Sequence, residues 1–284
     1  MTDNKVEEFV GRRGRGWNIL AYVVLSLASA IAIFPLIWLG MTAFKDRITA
    51  FALPPVWIFT PTFESFKVLI GFRHMELFML NSAIVALGST GFSIGVGVFC
   101  AYALARFRFR GGESIAFWIL TNRMIPPLAL ALPLFILFQK FHWLDTRHGL
   151  IFLYTAMQLP FVVWILRGYF EDIPYELEEA AMVDGDSWFS AFRKVTLPLA
   201  GPAIAATAIF VLILSWNEFP FALILTGATS RTMPPAAVTF MVESNIHWNE
   251  IGAACLFIAL PMVVFVMIVQ KQFVRGLTMG MVRE

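Results

Sequence analysis

Six apolar runs set the pattern of the chain, at about residues 19–44, 77–105, 114–138, 150–166, 203–225 and 251–273. Crossing the hydrocarbon core of a bilayer takes about 20 helical residues. The runs therefore predict an all-α integral membrane protein with six transmembrane helices, the fourth being the shortest. The first run is too long for the core of a signal peptide, and no A-x-A-like cleavage site closes it, so it is expected to be retained. No repeat period stands out and no low-complexity linker separates domains. The expected organisation is one membrane domain over 1–284, with an N-terminal segment 1–18, a six-helix part 19–273 and a tail 274–284.

The segments between the runs carry the polar patterning. In residues 45–75 the breakers Leu53-Pro54-Pro55 and Thr60-Pro61-Thr62 precede a short interfacial helix expected at 63–70. The polar stretch 171–202 holds the most regular pattern outside the bilayer. Pro174 suits the first turn of a helix, and Glu176, Glu178 and Glu179 lie near its positive end, where carboxylates are favoured. Leu177, Ala180 and Ala181 form one narrow apolar face. Asp184-Gly185 is a turn signal. Trp188, Phe192 and Val195 then recur at helical spacing, and Pro198 is expected to end this second helix by biasing Leu197 towards extended backbone. The pattern predicts helix, tight turn, helix.

Composition agrees with a bilayer protein: 59% of residues are hydrophobic and 14% charged, against roughly 25% charged in soluble domains. The net charge of +2 gives no reason to expect a nucleic-acid partner. Lys and Arg are unevenly placed. One set of segments carries Lys5, Arg12, Arg13, Arg15, Arg106, Arg108, Arg110, Arg167, Arg193, Lys194, Lys271, Arg275 and Arg283. The opposite loops carry Lys45, Arg47, Lys67, Arg73, Lys140, Arg147 and Arg231. The richer side is the cytoplasmic one, which places both termini and the 171–202 hairpin in the cytoplasm. The two cysteines, Cys100 and Cys255, sit inside apolar runs and form no disulfide framework. None of the four histidines has metal-ligand spacing, and no metal is expected.

The hairpin resembles the EAA loop of ABC-importer permeases. Glu179-Ala180-Ala181 is followed by Asp184-Gly185, and Val195-Thr196-Leu197-Pro198 falls at the distance that pattern requires. Further stretches are similar to the carbohydrate-uptake permeases related to the maltose permease subunit MalG. These are Asn81-Ser82, the run Ala101-Tyr102-Ala103-Leu104-Ala105-Arg106-Phe107, Arg123-Met124-Ile125-Pro126-Pro127, Trp216-Asn217-Glu218-Phe219 and Val274-Arg275-Gly276-Leu277-Thr278. The resemblance implies a type I importer-like permease with a cytoplasmic coupling helix, in a bacterial-type inner membrane. It implies a second permease, two ATPase subunits that bind ATP and Mg, and an extracytoplasmic solute-binding protein. This chain then needs no cofactor and is not an enzyme. Heterodimeric and homodimeric pores both stay open. The coupling residues would be Glu179, Ala180, Ala181, Asp184, Gly185, Leu197 and Pro198, and the loop at about 226–248 would reach towards the binding protein.

A second set of residues points to a translocation path. Counted from Ser114 at about 1.5 Å per residue, Arg123 lies roughly 14 Å into the third run, beside Asn122. An arginine at that depth is costly unless paired or wetted, and Pro126-Pro127 break the helix just beyond it. Trp216, Asn217 and Glu218 fall towards the outer end of the fifth run, with Glu218 the acid considered as a partner for Arg123. The stripe Ser93, Gly97, Ala101 and Ala105, with Gly91 and Gly95 nearby, reads as close helix packing. There is no G-x-x-x-x-G-K-S/T phosphate loop and no G-x-S-x-G elbow. The alternatives are an ion-gradient-driven carrier, which a buried Arg and Glu would serve, and an integral membrane enzyme.

Overall fold

The computed structural model describes residues 15–107, 109–242 and 247–278. Lys5, Arg12, Arg13, Arg108 and Arg283 of the orientation argument lie outside them, as do 243–246 of the outer loop and the tail from 279. All regular structure among the described residues is helical. The helices are α1 (Arg15–Ala43), α2 (Arg47–Phe51), α3 (Glu64–Gly71), α4 (Met75–Arg106), α5 (Gly112–Thr121), α6 (Pro127–Lys140) and α7 (Arg147–Asp172). They continue as α8 (Glu176–Val183), α9 (Trp188–Ala191), α10 (Leu197–Leu199), α11 (Gly201–Trp216), α12 (Pro220–Leu225), α13 (Met233–Val242) and α14 (Trp248–Thr278).

Among the described residues, four helices, α1, α4, α7 and α14, are long and apolar enough to cross a bilayer, and two bent pairs bring the number to six when each pair is one broken span. The helix expected at 63–70 is α3. Three details depart from the sequence pattern. The third run is not one rod: a 3₁₀ turn at Asn122–Met124 and the prolines after it bend α5 against α6 by 95°. Pro126 cannot donate to a helical ladder and restricts the residue before it. Ile125 accordingly takes φ −73°, ψ 125°. The fourth span is not short, because α7 has 26 residues. Its C-terminal end was hidden by Arg167, Glu171 and Asp172, which break the apolar run; Arg167 forms ion pairs with Glu171 and with Glu113 of α5.

Pro198 also does not end its helix. Leu197 is helical at φ −63°, ψ −43°, and the preceding segment Phe192–Thr196 is a π turn in which the Leu197 N–H bonds to the Phe192 carbonyl. The wider turn accommodates a proline ring that an α-helical carbonyl four residues back would obstruct. The chain then bends by 70° between 188–199 and α11.

The chain packs as two units, residues 1–72 with 246–256 and residues 73–245 with 257–284. In the first, the end of α1 meets the start of α14 so closely that a Cβ on Gly252 would lie 2.9 Å from the Ala43 nitrogen. The Lys45 ammonium sits over the rings of Trp38 and Phe59, at 4.8 and 5.2 Å, and Asn249 donates to the Ser65 hydroxyl at 3.0 Å.

The core of the second unit is the face between α4 and α7. Ser93, Gly97 and Ala101 are its contact stripe, and Gly97 leaves no room for a side chain, since an added Cβ would overlap Val162 Cγ1. Gly91 and Gly95 face open space instead. Tyr102, Leu166, Phe170 and Phe192 close the end of that core nearest the hairpin, with Ala203 and Val211 of α11 packed beside them.

Candidate functional site

The hairpin is built as helix, turn and helix. The first helix, α8, ends in a glycine cap. Gly185 has φ +98°, its N–H bonds to the Met182 carbonyl at 3.1 Å, and the Asp186 N–H reaches the Ala181 carbonyl at 3.0 Å. This pair of bonds is the Schellman arrangement, in which the left-handed residue is ordinarily glycine. Ser187 then caps α9 by accepting from the Ser190 N–H at 3.3 Å. Asp186 accepts from the Ser190 hydroxyl at 2.7 Å and from the Lys194 ammonium at 2.6 Å. These two bonds hold the Asp186 carboxyl below the usual carboxylate range, the lysine bond being the larger cause.

Two adjacent glutamates of α8 have opposite surroundings. Glu179 is exposed, together with Ala180, and Val183 is 86% exposed. Leu177, at 44%, also faces out, and Ala181 is half-buried. The face expected to be apolar is thus presented outward. Glu178 is fully buried. It accepts from Arg106 Nε at 2.9 Å, from the Tyr102 hydroxyl at 2.9 Å and from the Thr196 hydroxyl. Arg106 also donates through a second nitrogen to the Ile173 carbonyl at 2.9 Å. Sequence reasoning missed Glu178, since a first-turn carboxylate there reads the same as Glu176 or Glu179. The available signal was Tyr102 and Arg106 four residues apart at the end of a span. Of the remaining coupling candidates, Asp184 is exposed at the C-cap, Leu197 is half-buried and Pro198 is exposed beyond the π turn.

The path candidates fall at two places. Asn122 and Arg123 stand on the bend between α5 and α6 and line a cavity of about 540 Å³ with Trp118, Gln158, Leu130 and Phe221. Arg123 reaches the Gln158 amide oxygen at 3.5 Å and lies over the Phe161 ring at 5.0 Å. Glu218 is not its partner. It accepts from the Tyr154 hydroxyl and from the N–H groups of Phe221 and Ala222 at 2.9 and 3.0 Å, capping α12. Trp216 is buried and donates to the Ile258 carbonyl at 3.2 Å, while Asn217 is exposed and bonds back to Ile213.

A polar clamp at the far end of the second unit was also missed. Asp145, between α6 and α7, accepts from the N–H groups of Gly227, Thr229 and Ser230 and from the Ser230 hydroxyl, at 2.8 to 3.0 Å. Desolvation by burial pushes its pKa up, but the loop donors outweigh it and hold the carboxyl at about 2. Asn81 donates to the Thr229 and Arg231 carbonyls and accepts from Arg147, and Ser82 accepts from the Met233 N–H. The loop before α13 is therefore tied to the ends of α4 and α7.

Six spans, two of them broken, with a capped hairpin projecting between the fourth and fifth, define a multi-pass integral membrane protein that presents a structured helix outside the bilayer. Residues 93–279 match the family described as the binding-protein-dependent transport system inner membrane component, and the chain belongs to that family. It is a permease of a binding-protein-dependent importer, and hence a multi-pass inner-membrane protein. It is 38% identical to a probable ABC transporter permease, y4oR, of Sinorhizobium fredii, over 94% of this chain and 93% of that one. It is 34% identical to the trehalose/maltose transport system permease MalG of Thermococcus litoralis, over 93% of this chain and 96% of that one. The fold is similar to that of a bacterial ABC transporter involved in importing the acidic polysaccharide alginate, with TM-score 0.76, 23% identity and coverage of 92% and 98%.

Proposed function

We propose that the chain is one permease subunit of an ATP-driven importer for a sugar, polyol or related solute, and that it docks an ATPase through α8. The sugar class is supported by the name of the trehalose/maltose relative. The chain forms half of the pathway with a second permease, receives solute from an extracytoplasmic binding protein and carries no catalytic step. ATP and Mg are bound by two separate ATPase chains. Both termini and the hairpin face the cytoplasm. Asn122 and Arg123 line the path, and Trp216, Asn217 and Glu218 belong to its outer part. The observation that carries the docking reading is the two-sidedness of α8: Glu178 anchors it inward while Glu179, Ala180 and Val183 stand free on the other side. An ion-gradient-driven carrier has no use for such a face.

Docking is tested by purifying the complex with Glu179→Ala or Ala180→Trp. Both sites are exposed, so the permease should insert normally and lose ATPase subunits. Full retention of the ATPases by both variants would refute the docking role.

A further inference from the structure

The hairpin's outer face meets a partner, but a dock transmits movement only if its inner face is fixed to a membrane helix. The described residues contain a joint able to do this. Glu178 lies on α8, Arg106 and Tyr102 on the last turns of α4, Thr196 on the π turn, and Ile173 just after α7. The Arg106 and Glu178 side chains are 5% and 0% exposed. One carboxylate thus ties together the helix that is presented, the span α4 and the segment leading into α11. Aromatic rings surround it. Tyr102 packs on Phe192 at 4.4 Å between centroids, and Trp188 lies 5.6 Å from Phe107 and 6.0 Å from Tyr175.

Apolar packing alone would hold these elements together, but it allows sliding, since contact between rings has no fixed register. A buried ion pair is poor at adding stability and better suited to fixing one register, because any displacement leaves a desolvated charge without its partner. The arginine fork bonds two acceptors on different segments, Glu178 and the Ile173 carbonyl. A lysine ammonium is a single point charge and does not reproduce this two-nitrogen fork.

We infer that Glu178 and Arg106 are positioning residues for coupling: their buried ion pair makes α8 and the inner end of α4 move as one body, so that a displacement of the docked hairpin becomes a displacement of the second span. This rests on the reading of α8 as the ATPase dock.

The test uses the full complex with its ATPases, spin-labelled through Glu176→Cys on α8 and Phe92→Cys on α4, with Cys100 and Cys255 replaced by Ser. Both labelled positions are exposed. The label-to-label distance is measured without nucleotide and after trapping with ATP, Mg and vanadate. The expected distance with the native ion pair is narrow and unchanged by trapping. Glu178→Gln keeps the size and an acceptor oxygen but removes the charge. There the distribution should broaden and shift on trapping, and Arg106→Lys should fall in between. The inference is overturned if the native distance itself shifts on trapping, or if Glu178→Gln keeps the fixed distance. It is equally overturned if Glu178→Gln sheds the ATPases, because the pair would then serve docking rather than transmission. Failure of the docking reading shows separately, as ATPase retention by Glu179→Ala and Ala180→Trp.

Discussion

Gly185→Val isolates the turn of the hairpin. At φ +98° glycine is unstrained, whereas a β-branched residue is not. No atom lies within 4 Å of a Cβ built at this site. The cost is therefore backbone strain alone, about 1–3 kcal/mol. That corresponds to roughly a 5- to 150-fold loss in the equilibrium favouring the native turn, at about 1.4 kcal/mol per tenfold. Relief of the strain requires giving up the Gly185 and Asp186 bonds to Met182 and Ala181, each contributing about 0.5–1.5 kcal/mol net. Where the turn gives way, the direction of α9 relative to α8 changes, while Glu178 keeps α8 seated. The assay is co-purification of the ATPase subunits with the variant, alongside the amount of permease inserted in the membrane. Insertion should be unchanged and ATPase recovery reduced several-fold. Gly185→Asn, which tolerates positive φ better, should lose less. Full ATPase recovery with Gly185→Val would refute the argument that the turn geometry aims the dock.

Further expectations concern orientation, path and loop. A cysteine at the exposed Ala228 should be labelled from outside intact cells and one at the exposed Asp184 spared; the reverse would invert the membrane orientation. Ser230 is unsuitable for such a probe because it is fully buried against Asp145. Arg123→Leu should impair solute uptake with the complex intact, and unchanged uptake would remove Arg123 from the path. Asp145→Asn should speed amide exchange at Gly227, Thr229 and Ser230, since a neutral amide accepts less strongly and the depressed pKa represents at most about 2.5 kcal/mol at roughly 1.4 kcal/mol per unit, less once solvent screening is discounted. Because the folded value lies below the unfolded one, near 3.9, the loop's stabilisation should be full above about pH 4. It should be lost as pH falls through about 2. Slow exchange in Asp145→Asn at neutral pH would contradict the clamp.

The spans were legible because apolar runs of bilayer length have few other readings. The hairpin was legible because Asp184-Gly185 and the spaced apolar residues are local signals. What was lost depended on partners distant in sequence. Arg167 shortened the apparent fourth span because its pairing with Glu113, across 54 positions, is invisible in a hydropathy pattern. Arg123 stands in the arm 112–124, before the 95° bend, and the bend redirects only the chain beyond it, which a hydropathy pattern does not show. Glu178 could not be told from Glu179, although one helical step separates a buried anchor from an exposed carboxylate. Asp145 gave no signal at all, since its donors lie more than 80 positions away.

Insertion of α8 into an ATPase should be read out as protection at Val183, 86% exposed in the free chain. In a background with Cys100 and Cys255 replaced by Ser, Val183→Cys is treated with a bulky maleimide, first in the permease alone and then in the assembled complex. Docking predicts rapid modification of the free permease and strong protection in the complex. Equal modification of the two would contradict it.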